Sequence, residues 1–128
     1  MYEWSSLQKD TLLITGHTHQ PVFESLTHLE RLYRQLQWCT QQKDEAKLKE
    51  VKGEILKREA GFTAVALDYM VMKPSYFNTG CCCYSDGDIT GIEISGGLIR
   101  LVKWTTVSGK PERIDLEKIS LEELCSRL

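Results

Sequence analysis

His17 and His19 stand two residues apart, directly after the apolar run that ends at Thr15 and after Gly16. In an extended backbone such side chains point the same way, about 7 Å apart. That is too far for the rings to touch, but each is well placed to hold a neighbouring metal ion. Neutral imidazole is the commonest protein ligand for transition metals. The plainer reading is that each is a hydrogen-bonded polar group at a strand end. A closed four-ligand zinc site is not supported, because the chain has no Cys-x-x-Cys or His-x-x-x-His pair.

Other residues with chemical capacity weigh less. Cys81 and Cys83 share a face if their segment is extended and would bind zinc with an imidazole; small buried hydrophobes are the favoured reading. Asp86 and Asp88 would suit a hard cation, but turn chemistry ahead of a strand is favoured, and the calcium-loop pattern is not matched. His28 reads as a surface or cap-proximal residue of a helix. No phosphate-binding glycine loop, nucleophile elbow or Cys–His pair stands out.

The segment Gly16-His17-Thr18-His19-Gln20-Pro21 resembles the last motif of calcineurin-like metallophosphoesterases. The later segment from Tyr76 to Ile94, with Asn78-Thr79-Gly80 inside it, is similar to the strands that follow that motif in one bacterial branch. The resemblance implies that His17 and His19 each hold one ion of a two-metal centre containing manganese, iron or zinc. It also implies a phosphate-ester substrate, whose phosphorus is attacked in line by a metal-activated water. The implied fold is α+β, an αββα sandwich of two mixed sheets flanked by helices. Asn78 and Gly80 would lie at the pocket rim.

The family's upstream motifs are missing: Asp-x-His, a bridging Asp after Gly, Asn-His and a further His. The chain therefore resembles the C-terminal portion of such an enzyme. By itself it is expected to be inactive and to bind at most one weak ion. The rival expectation is a non-catalytic interaction module acting through its helices and exposed sheet.

Composition narrows the classes. The 128 residues suit one domain at most, here a single partial metallophosphoesterase domain, with 41% hydrophobic and 27% charged residues. A net charge of −2 gives no reason to expect nucleic-acid or anionic-membrane binding. No run is long enough to span a membrane and no signal peptide is evident. Five cysteines, three of them adjacent, suit a reducing cytoplasm better than a disulfide framework. Self-association is expected if sheet edges and an apolar face lack their neighbours.

The elements that must position the histidines can be read along the chain. Ser5 to Gln8 is a weak capping-box match that would open one helical turn, with Trp4 as a packing residue. A first strand is expected at about 11–15. A helical insertion is expected over 24–60, with Leu26, Leu29, Tyr33 and Leu36 forming one stripe and Leu48, Val51 and Ile55 another. Two forms compete: one helix of about 35 residues, or an antiparallel hairpin turning near 42–44 with Asp44 as the second N-cap. The hairpin is favoured because the apolar stripe lapses over 41–45. Phe62 to Val71 reads as loop with one strand.

Strands are expected over 75–105. Gly96 and Gly97 form a two-residue turn needing positive φ, which pairs Ile94 with Ile99, Glu93 with Arg100 and Ile92 with Leu101. Residues 106–111 read as loop. A C-terminal helix is expected over 119–128, opened by Ser120 and Glu123.

Overall fold

A computed structural model of the chain describes residues 1–18, 20–59, 72–80, 82 and 87–128. Among these the protein is mixed α+β, with two sheets and four helices. It divides into two compact units, one made of Met1–Ser25 with Lys73–Leu128 and the other of Leu26–Met72. No helix of the described residues is long and apolar enough to cross a membrane.

The second unit opens with a two-residue strand, β3 (Leu26–Thr27), and continues as α2 (His28–Gln42) and α3 (Glu45–Glu59). Thr27 and Glu30 form a full capping box, each satisfying a backbone N–H that the helix start would otherwise leave unpaired. α2 ends at Lys43, which takes a left-handed φ of 57°. Asp44 then starts the next helix, its Oδ1 accepting the Lys47 N–H at 3.2 Å. The helical hairpin is therefore the form adopted, and the single long helix is not. Leu29 and Leu32 of α2 pack with Val51 and Ile55 of α3, with Tyr33 and Leu36 at the margin. Residues from the start of one helix meet residues from the end of the other, so the two run antiparallel. His28 is half-buried at the first position of α2. The strand expected within 62–71 lies outside the described residues.

The first unit holds α1 (Tyr2–Ser6), β1 (Leu13–Thr15), β2 (Val22–Phe23), β4 (Tyr76–Asn78), β5 (Ile89–Ser95), β6 (Leu98–Val107), β7 (Lys110–Ser120) and α4 (Leu121–Ser126). Strands β1, β4 and β2 lie side by side in that order. β1 is parallel to β4, with Leu13 opposite Tyr76 and Thr15 opposite Asn78. β2 is antiparallel to β4. The other sheet is an antiparallel meander, β5-β6-β7.

Its first turn has the expected register: Gly96 and Gly97 have φ of 57° and 73°, and Glu93 faces Arg100. Alternation sends Ile99 and Leu101 inward with Ile119 of β7 and Leu124 of α4, against Phe23 and Phe77 of the other sheet. The two phenylalanines meet edge to face, with centroids 5.1 Å apart. The core of this unit therefore lies between its two sheets.

Four expectations are corrected. Residues 106–111 are not a loop: β6 runs to Val107, only Ser108 and Gly109 turn, and β7 begins at Lys110. Pro111 fits there because β7 is an edge strand, where a missing N–H is tolerated. The C-terminal helix is shorter than 119–128, since Ile119 and Ser120 finish β7; Ser120 does cap it, accepting the Glu123 N–H at 3.1 Å. At the N-terminus, Ser5 lies inside α1 and does not cap a later turn, its hydroxyl meeting Ser75 Oγ at 3.0 Å. Trp4 is 55% exposed and is not a packing residue, because α1 turns it outward while burying Ser5.

Candidate metal-binding loop

The turn that carries His17 begins where β1 ends. Beyond Thr15 the parallel alignment with β4 continues as irregular backbone: Thr79 N–H donates to Thr15 O at 2.9 Å, and His17 N–H donates to Gly80 O at 3.0 Å. The segments around His17 and Gly80, 63 positions apart in sequence, are thus hydrogen-bonded neighbours. They approach closely. A Cβ on Gly16 would lie 2.9 Å from Thr79 Oγ1. A Cβ on Gly80, whose φ is +79°, would overlap Thr90 Oγ1 and touch Pro21.

His17 itself has a φ of 73°, and its side chain is exposed. Non-glycine residues adopt this conformation infrequently, and the surrounding hydrogen bonds must hold it there. Thr18 Oγ1 donates to Gln20 O at 2.9 Å. His19 lies outside the described residues.

Under the loop sits Asn78, 1% exposed. Its Oδ1 accepts the Gly80 N–H at 2.9 Å, and its Nδ2 donates to Thr15 Oγ1 and to the Tyr76 hydroxyl, both at 2.9 Å. Thr15 and Tyr76 are themselves joined, hydroxyl to hydroxyl, at 3.0 Å. From the other sheet, Thr90 Oγ1 donates to Thr79 O at 2.6 Å. Asn78 and Gly80, expected at a pocket rim, lie beneath and beside the His17 turn. Thr15 and Tyr76 were not legible as members of the cluster, because only the parallel pairing of β1 with β4 brings them together.

The acidic residues take other partners. Glu24 accepts from Arg127 Nη1 at 2.6 Å. Asp88 is buried and bonded to the Lys103 ammonium, which, followed by a hydrogen bond from Thr105, holds its carboxyl below the usual aspartate range. It is thus engaged in an ion pair directly ahead of β5, and most of the turn segment weighed from sequence lies outside the described residues. Cys81, Cys83 and Asp86 lie outside the described residues. No group of three or more His, Cys, Asp or Glu able to hold an ion occurs among the described residues. There His17 is an exposed imidazole on a turn anchored by its N–H bond to Gly80 O.

Comparison of the chain with protein-family models, with curated proteins and with solved structures found no match.

Proposed function

We propose that this chain is the C-terminal part of a metal-dependent phosphoesterase domain and that His17 and His19 supply its last two imidazole ligands. The observation that carries this reading is the hydrogen bond from His17 N–H to Gly80 O, which makes one structure of the two resembling segments. The two sheets closing on one apolar core are compatible with the sandwich that the resemblance implies. When bound, a pair of divalent ions would supply charge neutralisation at phosphate oxygens and a water of lowered pKa. This chain's own part is to hold the His17 imidazole beyond the end of β1 on backbone that bonds Thr79 and Gly80. The remaining ligands, including a bridging carboxylate, would come from motifs that this sequence lacks.

The test is titration of the purified chain with manganese(II), followed by calorimetry. One weakly held ion is expected, with binding lost in both His17→Ala and His19→Ala. Binding unaffected by either substitution would overturn the ligand assignment. The alternative, a non-catalytic interaction module, draws support from Trp38 and Leu56, which stand 53% and 72% exposed on α2 and α3. A complete domain carrying the missing motifs that keeps full activity after both histidine substitutions would favour it.

A further inference from the structure

We propose that Asn78 is a positioning residue for the His17 turn, acting through Gly80. Asn78 is a polar side chain in an almost fully buried place, and both ends of its carboxamide are engaged. A buried amide so satisfied holds one orientation, because turning it over would set the donor Nδ2 against the Gly80 N–H, which can only donate, whereas the two hydroxyls can meet either end. The Gly80 N–H thereby fixes which end faces it, and Thr15 and Tyr76 hold the amide in place by accepting from Nδ2. The Oδ1 bond to Gly80 N–H, from residue i to residue i+2, closes an Asx turn. That turn sets Gly80 at its positive φ and aims its carbonyl at the His17 N–H. The chain of contacts therefore runs from the Thr15–Tyr76 hydroxyls through Asn78 and Gly80 to the backbone of His17. An apolar residue of similar size would fill the volume but leave the Gly80 N–H buried without its acceptor. The consequence for ion binding rests on the proposed ligand role of His17; the conformational role does not.

The experiment is amide hydrogen exchange by NMR on the full chain, without metal and then with manganese-binding calorimetry as a separate arm. In Asn78→Leu the Gly80 and His17 amides should exchange about tenfold faster or more, while the β5–β6 amides of Glu93 to Leu101 keep their protection. Asn78→Asp retains an acceptor for Gly80 N–H and should restore most of the protection at both amides. Uniform loss of protection throughout the unit in Asn78→Leu would make Asn78 a general stability residue and overturn the proposal. Unchanged exchange at His17 would overturn it too. If Asn78→Leu does not fold, Thr15→Val removes one of the two acceptors that hold Asn78 Nδ2 in place. Faster exchange confined to Gly80 and His17 is expected there, and no change would refute the relay. In the calorimetric arm, manganese affinity should fall about tenfold in Asn78→Leu and recover in Asn78→Asp. A wild-type chain that binds no manganese but has the expected exchange pattern would remove the ligand role of His17 and uphold the positioning role of Asn78.

Discussion

Arg113 Nη2 lies 2.6 Å from Glu93 Oε2, so the guanidinium of β7 reaches across the central strand to a carboxylate of β5. The same guanidinium bonds Asp115 at 2.6 Å, and Arg100 of the central strand lies 3.8 Å from Asp115. The four charges bind three strands together on one face. The hydrogen bond from Arg113 is the main cause holding the Glu93 carboxyl below the ordinary glutamate range. Both side chains are partly exposed, so solvent screens the pair. A depressed folded pKa contributes stability above the unfolded glutamate value and loses it as pH falls through the folded one. Arg113→Gln should therefore lower stability slightly at neutral pH, less in high salt, and not at all in strong acid. Urea denaturation across pH and salt checks all three.

Lys103 and Asp88 form the more enclosed pair. The Asp88 carboxyl is also depressed, so its contribution is present above the ordinary aspartate range and disappears as pH falls below it. Lys103→Met should raise the Asp88 pKa towards the ordinary value and destabilise the chain at neutral pH. The loss should shrink on acidification. Carboxyl carbon NMR of Asp88, read alongside denaturation, provides the measurement.

Gly53 lies inside α3, and an added Cβ there meets nothing within 4 Å. Gly53→Ala should stabilise the helical unit by about 1 kcal/mol. Thr27→Ala should act in the other direction by about 1 kcal/mol, since it removes the cap at the start of α2. Circular-dichroism melting of the two variants should give shifts of opposite sign.

Ser25 N–H donates to Tyr76 O at 2.7 Å, so the chain leaves the first unit and returns to it at adjacent points. Replacing Leu26–Met72 by a short Gly/Ser linker should leave the first unit folded around its own core. NMR of the deletion variant should retain the β5-β6-β7 pairing. Within that unit, Leu124→Ala removes a fully buried side chain and should cost about 2–5 kcal/mol.

The purified chain should not turn over an aryl phosphate with added manganese. Two dications about 3.5–4 Å apart need anionic ligands between and around them. Glu24 is held by Arg127 and Asp88 by Lys103, so neither of these acids is poised for that task. Metal-dependent turnover that vanishes in His17→Ala would mean that ligands come from other residues or from a second chain.

Local patterns determined much of this protein. The β5–β6 register follows from two turn glycines and strict alternation, because a slip of one residue would send Ile99 and Leu101 to the wrong face. The helical hairpin follows from the lapse in the apolar stripe and the cap at Asp44. Strand β7 was not legible: its Leu116 is a bulge residue where the register shifts, its charges serve cross-strand ion pairs, and Pro111 reads as a loop residue when the edge is unknown. The cluster around Asn78 was also hidden. Thr15 and Asn78 become neighbours only through parallel pairing of distant strands, and no local propensity encodes that choice. Tertiary structure decided it by burying Phe23 and Phe77 against the second sheet, which fixes β2 and β4 and seats the backbone of Gly80 beside His17.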